Sequence, residues 1–185
     1  MGASRNRVGT AYALTVFTPI APSHEDELRA HLEGLPEGAG SALARLDQLH
    51  TSRLQIFDHL VHQGARQKPD RLKSSYLVFT ASFDGDLDDF LDAICEHLAP
   101  EADAVWGHCA GYPGTSDRAA FKRYIADHQS HTNLFASAYP NASVSEVRES
   151  LALRDRVVDF AADAQGLDAA VLKERFLNTF AKAGR

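Results

Sequence analysis

The first clear rhythm in the chain runs from Tyr12 to Thr18, with Tyr12, Leu14 and Val16 on one side and Ala13, Thr15 and Phe17 on the other. A period of two predicts a β-strand, and the apolar character of both sides places it centrally in a sheet. Pro22 and Ser23 then open a helix. Glu25, Asp26 and Glu27 sit where the positive end of its dipole favours them, and Leu28, Leu32 and Leu35 form one face. Pro36, Gly38 and Gly40 stop it, and Ser41 to Gln48 allow one further short helical turn. Leu49 to Val61 reads as a long second strand. Leu54, Ile56 and Leu60 share a face with His50, Ser52 and Asp58, whereas Thr51, Arg53, Gln55, Phe57, His59 and Val61 point the other way. A polar stretch from His62 to Ser74, longer than a hairpin turn, leads to a third strand, Tyr76 to Phe83.

Asp84-Gly85 is a turn signal and Asp86 a helix cap. The helix after it is the plainest element in the sequence: Leu87, Phe90, Leu91, Ile94 and Leu98 keep the three-four rhythm, with Asp88, Asp89, Asp92 and Glu96 mostly outside. Pro100 reads as its end, Ala104 to Ala110 as a fourth strand, and Gly111-Tyr112-Pro113-Gly114 as a turn. The resulting order β-α-β-β-α-β predicts an α+β fold: a ferredoxin-like antiparallel sheet with both helices on one face. The other face then needs a partner, a ligand or the rest of the chain to cover it. Ser116 caps a helix bearing Phe121, Tyr124 and Ile125, and Asn133 to Tyr139 reads as a short strand. Ser143 and Glu146 form a capping box ahead of Val144, Val147, Leu151 and Val158, and Asp168 starts a last helix with Leu172, Phe176 and Phe180. We therefore expect one domain over residues 1–185, with a ferredoxin-like core at 8–112 and additional C-terminal helices at 113–185.

Composition narrows the class without naming a reaction. The 185 residues are 44% apolar and 24% charged, which is ordinary for a globular chain able to bury a core without disulfides or metals. A formal charge of −6 argues against nucleic-acid binding, since polyanion affinity rests on clustered Lys and Arg. The one local basic group, Arg66, Lys68, Arg71 and Lys73 around Pro69, reads as a solvated loop. Arg5 and Arg7 ahead of Ala11 to Ala21 have the outline of a signal peptide, but Thr15, Thr18, Pro19 and the alternation assign that run to the first strand. No apolar stretch approaches the ~18 residues of a membrane span. A cytoplasmic protein without membrane association is the expectation. Cys95 and Cys109 read as small hydrophobes, one on a helix and one in the fourth strand.

Nine histidines are the candidate chemistry. His50, on the face of Leu54 and Ile56, suits an acid, a base or a metal ligand, or simply a strand-end histidine bonded to backbone. Arg53, three residues on, faces the other way unless a bulge intervenes. His59 and His62 flank the strand end and His128 and His131 a helix end; neither pair by itself marks a metal centre, and no set of metal ligands is assigned. His108 is more suggestive, set in Trp106-Gly107-His108-Cys109-Ala110-Gly111-Tyr112-Pro113-Gly114. Its neighbour Cys109 points oppositely on a strand, which disfavours a thiolate–histidine pair, but His108 suits a proton donor or an axial ligand to a flat cofactor. The signatures of dinucleotide binding, phosphate loops, nucleophile elbows and zinc peptidases are absent from the sequence.

The layout resembles the dimeric α+β-barrel superfamily, in which ferredoxin-like units pair sheet to sheet. His50-Thr51-Ser52-Arg53, Phe79 to Gly85, His108 to Gly114, and Tyr139-Pro140 with Val144 to Arg154 are similar to segments of an uncharacterised bacterial family of that kind. The resemblance spans roughly residues 49 to 154 and implies a homodimer that binds a small molecule. Its haem-binding relatives imply a haem-dependent or cofactor-free oxidoreductase, although no haem-ligand motif matches residue by residue. On this reading His50, Arg53 and His108 carry the chemistry, and His108, Tyr112 and Tyr139 hold a cofactor of unknown identity, haem being one candidate. Arg53 would anchor a carboxylate or propionate. The competing reading is a non-catalytic binding or oligomerisation module.

Overall fold

The computed structural model describes residues 6–60, 64–65 and 71–180. The chain divides into two compact units, Met1–Val144 and Ser145–Arg185. The first is α+β. Its strands β1 (Arg7–Val8), β2 (Ala11–Pro19), β3 (Leu49–His59) and β4 (Arg71–Asp84) form an antiparallel sheet in the order β1-β2-β4-β3. The alternation read along the sequence sets the register. Tyr12, Leu14, Val16 and Thr18 pair with Phe83, Ala81, Phe79 and Leu77, and Phe79 and Leu77 pair in turn with Leu54 and Ile56. Directly paired residues share a face, so one side of the sheet becomes a continuous apolar floor.

Four helices bury that floor: α1 (Glu25–Glu33), α2 (Leu87–His97), α3 (Ala99–Trp106) and α4 (Arg118–Asp127). Leu28, Phe90, Leu91, Ile94, Trp106, Phe121 and Ile125 join the strand residues in one buried cluster. The Phe83 and Phe90 rings stack with centroids 3.8 Å apart, and Phe79 meets Trp106 edge-on at 5.3 Å. Burying each such ring stabilises the fold by about 2–3 kcal/mol. The opposite face is more polar, with Thr51, Arg53 and Gln55 exposed around the half-exposed ring of Phe17.

The expected fourth strand is where the structure departs from the sequence reading. Residues 104–106 belong to α3, and Pro100 starts that helix instead of ending the one before it. Pro is tolerated in a first helical turn because its missing N–H is unpaired there in any case. Ala102, Val105 and Trp106 are buried at helical spacing, and so short an apolar run does not distinguish the two periods. Only Cys109 retains strand character, as a single antiparallel bridge to Ile20.

That bridge belongs to a larger pattern along the outer edge of β2. Asn6 O accepts from Ala13 N at 2.8 Å, His128 O from Phe17 N at 3.0 Å, Thr15 O from Ser130 N at 2.8 Å and His108 O from Ala21 N at 2.9 Å. Three short segments thus satisfy the backbone groups that one long strand would. The strand expected at Asn133 to Tyr139 does not form; the segment is irregular, and Leu134 and Tyr139 are exposed. A smaller correction concerns α4, whose cap is Asp117, not Ser116: its carboxylate accepts from Ala120 N at 2.9 Å.

The second unit is a helical pair, continued from the start of α5 (Val144–Asp163) through α6 (Ala169–Phe180). Asp168 caps α6 by accepting from the backbone N–H groups of Ala170 and Val171. Phe160, Phe176 and Phe180 pack together, with centroids 5.0–5.9 Å apart. Among the described residues no helix is long and apolar enough to cross a membrane.

Candidate functional site

The five residues singled out from the sequence fall in separate places. His50 occupies the bulge between Leu49 and Thr51. Its Nε2 lies 2.8 Å from Asp84 Oδ1, while Asp84 Oδ2 accepts the Val144 N–H at 2.7 Å. His50 therefore ties the ends of β3 and β4 to the end of the first unit. Arg53 is exposed on the open face of the sheet, paired in register with Thr80. Tyr139 is 79% exposed in the irregular segment.

Tyr112 follows Gly111, whose φ of 72° supplies the left-handed turn expected there. Its hydroxyl donates to Asp103 Oδ1 at 2.7 Å, and Asp103 also accepts from Thr115 N and Thr115 Oγ1. Burial raises the Asp103 pKa, but the Tyr112 and Thr115 hydrogen bonds outweigh it, so the carboxyl is held below its usual range. Burial, with the Asp103 carboxylate second, pushes the Tyr112 phenol well above its usual value. This trio fastens the glycine turn to α3.

His128 and His59 have structural partners. His128 Nδ1 donates to Tyr124 O at 2.7 Å. Asp58 bonds His59 and pairs with Arg29, and the His59 hydrogen bond is the largest cause holding its carboxyl below the usual range. His62 lies outside the described residues, as do Arg66 and Lys68 of the basic loop.

His108 is different. Its ring, 16% exposed, meets His24 with the two Nδ1 atoms 3.2 Å apart, and Glu27 Oε2 lies 3.9 Å from His108 Nδ1. His24 precedes α1 as its cap and Glu27 stands in the first turn. Three positions apart, they lie on neighbouring parts of the helix surface. The Ala21–His108 backbone bond brings the loop before α1 to the residue that follows α3. Ser23, with φ 71°, turns the chain into the helix.

A separate cavity of about 610 Å³ opens between the sheet and the helices, lined by Leu35, Leu43, Leu54, Phe79, Val105 and Trp106 among others. Its wall comes from the C-terminal half of α1, the turns at Gly38–Gly40 and Ala42–Arg45, β3, β4 and α3. Two polar atoms among the lining residues are buried with no hydrogen-bond partner among the described residues: Trp106 Nε1 and Glu101 Oε2. The other Glu101 oxygen is bound by Arg45. A buried donor left unpaired costs about 1–3 kcal/mol, so it marks either strain or a place for a ligand.

No family model, curated protein or solved structure matches this chain.

The sequence reading passed over Trp106 and Glu101 as site residues because both were placed around a strand that is a helix. It passed over His24 because the pairing with His108 spans 84 positions. The His-x-x-Glu spacing from His24 to Glu27 was the one local signal.

Proposed function

We propose that this chain is a small-molecule-binding protein whose site is the apolar cavity beside Trp106. The observation that carries the reading is the cavity itself, a mostly apolar chamber of about 610 Å³ walled by Leu35, Leu54, Phe79, Val105 and Trp106. The volume falls within the ~300–1,000 Å³ of ordinary ligand sites. An apolar body would fill the chamber, and the paired Arg45 and Glu101 side chains at its wall would suit a neutral hydroxyl or phenol.

This reading keeps the ligand-binding expectation and moves its place. It keeps the ferredoxin-like layout in altered form, with the fourth strand reduced to the Cys109 bridge on β2. The haem version finds no support in the cavity, because His50, Arg53, His108, Tyr112 and Tyr139 are not among its lining residues.

Trp106 is the single tryptophan of the chain, so its emission reports on the site directly. Titration with 4-hexylphenol is expected to shift or quench it saturably, and Ala42→Phe, which fills part of the chamber, to abolish the response. An unchanged emission, or an equal response in the filled variant, would count decisively against the proposal.

A second reading, self-association, rests on the second unit. Val147, Leu151, Leu153, Val157, Val158, Val171, Leu172, Phe176 and Leu177 are all at least 37% exposed. They present apolar surface on the order of several hundred Å², the scale at which patches mark interaction sites. Phe160 points to α6, whereas Val147, Leu151 and Val158 recur at helical spacing on another face of α5. Two copies joining these faces as a four-helix bundle would bury them. Light scattering should then give twice the chain mass, falling to the monomer mass in Leu151→Lys/Val158→Lys. A monomer at every concentration excludes this reading.

A further inference from the structure

The geometry points to a divalent transition-metal site formed by His24, Glu27 and His108, distinct from the cavity and independent of its ligand. The ligand atoms of these three side chains all lie within 4.8 Å of one another. Two histidine nitrogens 3.2 Å apart, each bonded at ~2.0–2.1 Å to a common Zn²⁺, would subtend roughly 100–105° at the metal, close to a tetrahedral angle. The Glu27 oxygen, 3.9 Å from His108 Nδ1, must approach by about half an ångström to complete such a set. Its side chain is 74% exposed and free to swing.

The electrostatics favour a cation despite the position at a helix start. The dipole of α1 places about half a positive charge there. Glu25, Asp26 and Glu27 in the first turn bring three carboxylates against it. Facing each other at 3.2 Å, one of the two nitrogens donates a hydrogen bond and the other accepts it. One metal accepts both lone pairs. Two histidines and a carboxylate are ligands of the class that takes Zn²⁺, Fe²⁺, Co²⁺ or Ni²⁺, and three protein ligands leave a position for water or substrate.

The backbone presets the arrangement. His108 is tied to Ala21 by the bond from Ala21 N at 2.9 Å, and the adjoining Cys109–Ile20 bridge fixes its strand context. His24 is anchored at both ends, its N–H donating to Ala21 O and its carbonyl accepting from Leu28 N. Two of the three ligands are thus held before any ion arrives, which lowers the ordering cost of binding.

The test is calorimetric titration of Zn²⁺ into the tag-free, EDTA-treated full chain, with Co²⁺ absorption as a second readout. One ion per chain is expected, with Co²⁺ giving the intense visible bands of a tetrahedral or five-coordinate site. His24→Asn and His108→Asn should each weaken binding at least about tenfold, and Glu27→Gln should weaken it measurably. His24 and Glu27 sit at the surface end of α1, so their variants keep the test valid if His108→Asn does not fold. No saturable binding, or binding unchanged in both the His24 and Glu27 variants, overturns the proposal.

Discussion

The Tyr112 hydroxyl donates to Asp103 across 2.7 Å, so a glycine-rich turn is held to the helix that precedes it. Thr115 completes the clasp from the far side of the turn, with its N–H and its hydroxyl on the same carboxylate. Each of these bonds favours the ionised form of Asp103, and together they overcome the effect of its burial.

The clasp makes stability depend on acid. The Asp103 carboxyl is depressed in the folded state, so its contribution is fully present above its unfolded value of ~3.9 and is lost as pH falls through the folded value. Asp103→Asn should therefore be less stable than the parent in urea at pH 7, with the difference closing at pH 3. Tyr112→Phe, which removes one donor, should cost about 0.5–1.5 kcal/mol at pH 7. A constant gap for Asp103→Asn across that range would show that ionisation is not what the clasp uses.

Gly9 should tolerate no side chain. Its φ is 62°, and a Cβ there would stand 2.1 Å from Pro140 O and 2.5 Å from Asn141 Oδ1. The neighbouring Thr10 N–H already donates to that carbonyl at 2.8 Å, so the backbone cannot easily retreat. Left-handed geometry alone costs a non-glycine residue about 1–2 kcal/mol, and the clash adds to it. Gly9→Ala should lower the thermal midpoint clearly, whereas Gly38→Ala, whose Cβ would meet nothing within 4 Å, should lower it less.

Phe90 is the ring on which α2 rests. It is fully buried and stacked on Phe83. Phe90→Ala should cost about 3–5 kcal/mol, read as a lower urea midpoint. A loss below about 1 kcal/mol would mean that α2 does not depend on this stack.

The two thiols should be inert until the fold opens. Cys95 and Cys109 are buried, and burial pushes both thiols above their usual pKa. The Thr18 hydroxyl, 3.3 Å from Cys109, only partly offsets this. An aromatic disulfide reagent at neutral pH should modify neither in the native chain and both in denaturant. Prompt native reaction at either cysteine would contradict the packing described above.

Much of the first unit was legible in the sequence because its signals are local. The alternation from Tyr12 to Thr18 set a strand and its faces, and the rhythm from Leu87 to Leu98 set α2. The helix around Phe121 and the two C-terminal helices followed from spacing, the last of them also from its Asp168 cap. The Ala104 to Ala110 segment failed for an equally physical reason. Seven residues fit either period, and whether Pro100 ends one helix or begins another depends on what lies beneath it. Trp106 finds Phe79 below it and goes into a helix.

The candidate sites were the least legible part. His50, Arg53, His108, Tyr112 and Tyr139 were grouped by residue type and closeness to strand ends, and the fold gives them different neighbours. His50 pairs with Asp84 alone, whereas His108 lies in a cluster of two histidines and a carboxylate that needs His24, 84 positions away.

By itself the sequence determined the longer periodicities: most of the strands and helices, their apolar faces, and the glycine turns that interrupt them. These follow from interactions over a few residues and survive without knowledge of neighbours. Only the tertiary structure decided that three short segments share the edge of β2, that a cavity opens beside Trp106, and that His24 meets His108. Such meetings join positions far apart in the chain, and side-chain spacing within one element carries no information about which other element will close upon it.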